Sequence, residues 1–171
     1  NRAHLAAYKA VERPPLCVDY RAHKVCGMGP PSSGGIAVAQ VLKLIEPIAA
    51  VQGPAAAMSA PALHTIAEAE KLAFADRNRY VADPDRVAVP SGLLDPGYLD
   101  ERRKLIDPVT ALGAPPAPGL PPGLAKRSFG RDATQERAGT SHASIVDAAG
   151  NAVSMTTTIE GAFGSHQWAA G

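Results

Sequence analysis

An α+β fold is what the sequence predicts, from three observations. Strand-like runs come in two adjacent pairs, one near each end of the chain, and runs with helical spacing lie between them. Apolar residues make up 46% of 171 positions, which suits one core of ordinary size, too apolar for disorder and too short for two full domains. Gly and Pro contribute 16 residues each, without a Gly-X-Y period, so neither a collagen nor a low-complexity linker is indicated.

The first pair of strands is expected at Leu16 to Tyr20 and His23 to Met28, around Arg21-Ala22, although Arg-Ala is a poor sequence for a primed turn. Next, Gly29-Pro30-Pro31-Ser32-Ser33-Gly34-Gly35 leads into a helix from Ile36 to Ile48, capped by Ser32 or Ser33, with Val38, Val41, Leu42 and Ile45 on one face. A second helix starts near Ser59, tolerates Pro61 in its first turn and runs toward Tyr80, with Leu63, Ile66, Ala69, Ala73 and Arg77 in register. Asp83-Pro84-Asp85 stops it, and Tyr98 to Ile106 forms a short charged helix. Residues 107–123 hold six prolines and three glycines and read as a flexible surface linker. After it, Ser144 to Asp147 and Ala152 to Ile159 form the second strand pair, joined by Ala148-Ala149-Gly150-Asn151.

Charge and composition exclude several functions. Seventeen basic side chains nearly cancel sixteen acidic ones, and a net charge of +1 offers no basic face for nucleic acid or an anionic membrane. Pro47, Gly53, Pro54 and Pro61 interrupt the uncharged run 47–67, so it is not a membrane span. The chain begins with Asn1 without a signal-like segment and ends at Gly171 without a closing element; it is expected to be cut from something longer.

Three motifs invite chemistry. The Gly-rich stretch resembles a phosphate loop only superficially, because Gly35-Ile36 stands where Lys and Ser/Thr would bind phosphate and magnesium. A stiff turn bringing backbone close to a neighbouring strand is the better reading. His4, His23, His64, His142 and His166 show no metal-ligand spacing, so neither a metal nor a cofactor is expected. Cys17 and Cys26 would face each other across the first hairpin, where the short separation of a non-hydrogen-bonded pair is at the low end of the disulfide range; a bridge and two buried thiols both fit. The third motif, Gly139-Thr140-Ser141-His142, carries the most. A Thr hydroxyl needs a base, and the α-amine of the same Thr serves if the chain is cut before it, since such an amine titrates near pH 8, at about 7.7–8.0.

Read together, several stretches resemble the γ-glutamyltranspeptidase family. They are Glu12-Arg13-Pro14-Pro15, Asp19-Tyr20-Arg21, Met28 to Ile36, Glu68 to Arg77, Asp83-Pro84-Asp85, Thr140-Ser141-His142, Val146-Asp147, Gly150 to Ser154 and Thr156 to Ser165, in order from about Leu5 to Ser165. The resemblance implies an N-terminal nucleophile hydrolase αββα sandwich, present here in part and incomplete at both ends. It implies a precursor that cuts itself between Gly139 and Thr140, so that 1–139 closes the large subunit and 140–171 opens the small one, the two forming a heterodimer. It assigns Thr140 as the nucleophile that takes up the γ-glutamyl group of a substrate such as glutathione, and passes it to water or to an amino acid or dipeptide acceptor. The freed α-amine is the base. Thr158 matches the family Thr that orients the nucleophile, while His142 has no assigned part as a base. Glu68, Glu70, Lys71, Asp76 and Arg77 are expected in helix-surface or helix-to-loop ion pairs.

Two positions depart from the family pattern. Gly29 replaces the first of three prolines, a small change in loop stiffness. Glu160 replaces an Asn that helps hold the substrate α-amino group; a carboxylate can hold that ammonium but repels the neighbouring α-carboxylate. A related amidase of the cephalosporin-acylase type is therefore the rival enzyme, and a non-catalytic scaffold of the same fold the rival from another class. The later glycines of the family oxyanion hole and the upstream Arg that grips the substrate carboxylate lie outside the chain, so the fragment alone is expected to be inactive. The resemblance also implies a periplasmic or secreted location.

Overall fold

The computed structural model describes residues 2–56, 58–113, 115–124, 129–130 and 139–158. Its elements are α1 (Arg2–Ala7), β1 (Leu16–Tyr20), β2 (His23–Gly27), α2 (Gly34–Ile45), α3 (Ala60–Tyr80), α4 (Pro96–Arg103), β3 (Thr140–Val146) and β4 (Ala152–Thr158). Helices and strands are segregated as an α+β fold requires. The chain divides into two units, residues 12–132 and residues 1–11 with 133–171. No described helix is long and apolar enough to cross a membrane.

In the larger unit β1 and β2 pair antiparallel with Cys17 opposite Cys26. The two cysteines are bridged, with a Cα separation of 4.1 Å, which decides between the two states the sequence allowed. The poor turn is held from outside. Arg21 adopts φ 53°, a left-handed conformation that a side chain with Cβ disfavours. Its N–H donates to the Glu46 carboxylate at 2.7 Å and its guanidinium to the Val51 carbonyl at 2.9 Å.

The Gly-rich segment is the close backbone approach expected of it. Gly35 N–H donates to the Met28 carbonyl at 3.2 Å, and a Cβ on Gly35 would lie 2.2 Å from that oxygen. Ser33 occupies the N-cap of α2 but in helical conformation, without a side-chain capping bond; its hydroxyl accepts instead from Arg77 Nε at 3.2 Å. The helix ends at Ile45, earlier than expected, and its buried face also differs: Ile36, Ala37, Gln40 and Leu44 are inside, whereas Val38 is 52% exposed.

Helix α3 starts where Ser59 caps it, its Oγ accepting from Ala62 N–H at 3.3 Å. Its buried stripe is Ala62, Thr65, Glu68, Ala69, Leu72, Ala73, Asp76 and Tyr80, and Leu63, expected inside, is 47% exposed. One core cluster joins Leu44, Ile45, Ala69, Leu72, Tyr98 and Leu99 from α2, α3 and α4; another joins Ile36, Tyr80 and Leu93. Leu44 and Leu72 are essentially inaccessible, and burying each contributes about 2 kcal/mol.

Of the residues expected in helix-surface or helix-to-loop ion pairs, Glu68 and Asp76 are buried and reach the loop, and their bonds correct the reading of 107–123 as a flexible linker. Asp76 accepts from Tyr98 Oη at 2.6 Å, Gly119 N–H at 2.8 Å and Gln40 Nε2 at 3.2 Å, with Arg102 at 3.4 Å. Glu68 accepts from Lys71 at 2.7 Å and Leu112 N–H at 2.6 Å. Arg102 also donates to the Ala117 carbonyl, Tyr80 Oη to the Gly119 carbonyl, and Gly92 N–H to the Pro122 carbonyl. The segment lacks regular structure but is tied through Leu112, Ala117 and Gly119 to side chains of α3 and α4.

Candidate active site

The site residues lie on one hairpin. Strand propensity in Thr140–Val146 and Ala152–Thr158 is high, and the turn between them closes on Asp147, whose Oδ1 accepts from Ala149 and Asn151 N–H, each at 2.9 Å. Asn151 Nδ2 adds a bond to Oδ2 at 2.8 Å, and Gly150 supplies the positive φ of 86°. The Asn151 side chain first, then its backbone N–H, hold the Asp147 carboxyl below the usual carboxylate range.

That turn sets a register in which Val146 faces Ala152, His142 faces Thr156 and Thr140 faces Thr158. β3 thus begins four residues earlier than the sequence suggested, at the expected cleavage position itself. Thr158 Oγ1 donates to the carbonyl of Gly139 at 3.2 Å. The three expected residues, Gly139, Thr140 and Thr158, are therefore together at the open end of the hairpin. In the uncut chain the Thr158 hydroxyl rests on the carbonyl of the Gly139–Thr140 peptide bond, a contact not foreseen from sequence. A donor at that oxygen polarises the carbonyl and stabilises negative charge that develops there. Glu160 lies outside the described residues.

Paired residues in an antiparallel ladder share a face, and alternate residues along each strand do the same. One face of the hairpin therefore carries Thr140, His142 and Ser144 beside Thr158, Thr156 and Ser154. His142 is engaged on both ring nitrogens: Nδ1 with Thr156 Oγ1 at 2.8 Å, Nε2 with Ser144 Oγ at 3.0 Å and Ser154 Oγ at 3.3 Å. The sequence analysis gives His142 no part as a base and does not foresee this cluster; period-two spacing of hydroxyls on both strands is the signal that points to it.

Comparison with known proteins agrees with the geometry. The family model described as gamma-glutamyltranspeptidase matches residues 1–171. The chain is 41% identical over 166 residues to the glutathione hydrolase proenzyme of Escherichia coli (strain K12), covering 96% of this chain and 27% of that protein. It is 39% identical over 166 residues to the acylase ACY 1 proenzyme of Pseudomonas sp. (strain SE83), again covering 96% of this chain and 27% of the relative. Among solved structures it is similar to the gamma-glutamyltranspeptidase from Pseudomonas nitroreducens complexed with L-DON, with a TM-score of 0.62 and 33% identity over 73% of this chain and 37% of that one. The chain thus spans about a quarter (27%) of the length of these curated relatives. With a family match over its whole length and the Gly139, Thr140 and Thr158 groups held together on one hairpin, the chain belongs to the γ-glutamyltranspeptidase family.

Proposed function

We propose that the full-length protein is a self-processing γ-glutamyltransferase and glutathione hydrolase in which Thr140 is the nucleophile. The observation that carries this reading is the contact of Thr158 Oγ1 with the Gly139 carbonyl, in a register that sets Thr140 opposite Thr158. In maturation the Thr140 hydroxyl adds to the Gly139 carbonyl carbon, the developing oxyanion lies against Thr158 Oγ1, and the C–N bond breaks to leave an ester and a free Thr140 amine. Water then hydrolyses the ester, releasing the Gly139 carboxylate and restoring the hydroxyl. In turnover that amine takes the hydroxyl proton as oxygen attacks the γ-carbonyl of the substrate and returns it to the departing amine. The γ-glutamyl ester passes to water or an acceptor amine.

The family resemblance supports the αββα sandwich as the architecture of the whole protein, with 1–139 in the large subunit and 140–171 in the small one of a heterodimer. The Cys17–Cys26 bridge supports a periplasmic or secreted location, because disulfides persist in oxidising compartments; recovery of the protein with the cytosolic fraction would count against it.

Intact-mass analysis of the purified full-length protein is expected to show a small subunit beginning at Thr140, and Thr140→Ala is expected to remain uncut. A Thr140→Ala protein that still cleaves there ends the self-processing reading. A second reading, an acylase for a different acyl group, is favoured by the 39% identity to an acylase proenzyme. Better hydrolysis of glutaryl-p-nitroanilide than of γ-glutamyl-p-nitroanilide selects it.

A further inference from the structure

We propose that His142 is a positioning residue for the Thr140–Thr158 pair and acts through Thr156. The inference rests on the nucleophile reading of Thr140 given above. It starts from where the hairpin is weak. The turn at 147–151 anchors one end, whereas among the described residues Thr140 and Thr158 form the last pair at the other, the end of a ladder far from its turn being where pairing opens first. His142 and Thr156 are the next pair on the same face, about 7 Å along the strand from the terminal one.

The imidazole ties both strands at that point. Nδ1 reaches Thr156 Oγ1 across the ladder at 2.8 Å, and Nε2 reaches Ser144 Oγ at 3.0 Å on its own strand and Ser154 Oγ at 3.3 Å across it. Hydroxyls both donate and accept, so either neutral tautomer satisfies the cluster. Because both nitrogens meet hydroxyls other than that of Thr140, the ring is not set to take the nucleophile's proton. What it does is select one rotamer of β-branched Thr156 and hold β4 to β3 just before Thr158. A loss of that hold moves the Thr158 hydroxyl relative to the Gly139 carbonyl before the cut and relative to its ladder partner Thr140 after it, and misplacement by about 1 Å is enough to cost up to about a hundredfold in rate.

The test uses the full-length proenzyme and three variants, His142→Leu, His142→Asn and His142→Gln. An Asn amide reaches the place of Nδ1 and keeps the bond to Thr156; a Gln amide reaches the place of Nε2 and keeps only the serines. Self-cleavage rate, kcat and KM for γ-glutamyl-p-nitroanilide are measured for each. His142→Leu is expected to slow both self-cleavage and kcat by about tenfold or more with KM within about twofold, and His142→Asn to recover most of the rate where His142→Gln does not. If His142→Leu fails to fold, the Asn and Gln variants decide between them. Equal rates for those two, or wild-type rates for His142→Leu, overturn the proposal. Thr140→Ala, run alongside, separates the two failures: if it still cleaves or turns over, the nucleophile reading falls and this inference with it, whereas an inert Thr140→Ala beside fully active His142 variants overturns the inference alone.

Discussion

At the scale of single residues, the proposed chemistry rests on two hydroxyls whose main chains are paired. Thr158 Oγ1 on the Gly139 carbonyl is placed to act on charge that exists only as the bond is attacked. That contact bears on self-cleavage; in turnover the proposed part of Thr158 is to orient the Thr140 hydroxyl, so Thr158→Ala in the full-length enzyme is expected to lower kcat by about a hundredfold while KM changes little. Steady-state kinetics on γ-glutamyl-p-nitroanilide check this, and an unchanged kcat would refute the assignment. On the reading proposed above, Glu160, two residues after Thr158 in the sequence, stands where the family resemblance implies a group that holds the substrate α-amino group. Its carboxylate is suited to the substrate ammonium rather than to the reacting carbonyl. Glu160→Gln is expected to raise KM for γ-glutamyl-p-nitroanilide several-fold with kcat closer to unchanged, and to lower KM for glutaryl-p-nitroanilide, which lacks that ammonium but keeps the carboxylate that Glu160 repels.

At the scale of elements, adjacent glycines at the start of α2 have opposite requirements. A Cβ on Gly34 meets only Ser32 Oγ at 3.8 Å, whereas one on Gly35 falls 2.2 Å from the Met28 carbonyl oxygen. Replacing a helical glycine by alanine at an unstrained position stabilises by about 0.4–1 kcal/mol, chiefly by restricting the unfolded chain. Forcing an atom into packed backbone costs about 1–3 kcal/mol. Gly34→Ala is thus expected to raise the unfolding midpoint and Gly35→Ala to lower it, as thermal or urea melts of the two variants side by side will show. The reverse order would mean that the approach of α2 to β2 is looser than the 3.2 Å bond from Gly35 N–H to Met28 implies.

At the scale of the whole molecule, buried carboxylates join the helices to the proline-rich segment 107–123. Lys71 first, and the Leu112 N–H after it, hold the Glu68 carboxyl below the usual range in spite of burial. A carboxyl lowered in the folded state contributes stability that is present above its unfolded pKa and is lost as pH falls through the folded one. Glu68→Gln is expected to cost about 1–3 kcal/mol at neutral pH, and the difference from wild type should shrink on acidification as Glu68 itself becomes protonated. Melting curves across that range test it; a constant gap would exclude the charge as its source. Burial, then the hydrogen bond to Asp76, raise the Tyr98 phenol, so it stays a neutral donor in this network.

Much of this was readable in one dimension because it depends on neighbours along the chain. Both hairpins, the facing of Cys17 and Cys26, the Ser59 start of α3 and the backbone approach at Gly35 follow from alternation, capping and the lack of a Cβ, and the model agrees with each. The Gly139-Thr140 motif was likewise visible, through its order among the other motifs. What three dimensions decided were the interactions between residues far apart in sequence. Val38 and Leu63 have the spacing of core positions but face outward, while Glu68 and Asp76 are inside, where a charge is stable only when paired and hydrogen-bonded, and part of that pairing comes from distant segments. Leu112 lies 44 positions from Glu68 and Gly119 lies 43 from Asp76; no local pattern announces such partners. By itself the sequence determined the strands, the turns and the motif that names the family; tertiary structure decided which carboxylates pin the proline-rich segment and that Thr158 rests on the bond ahead of Thr140, since both depend on register and packing rather than on adjacency.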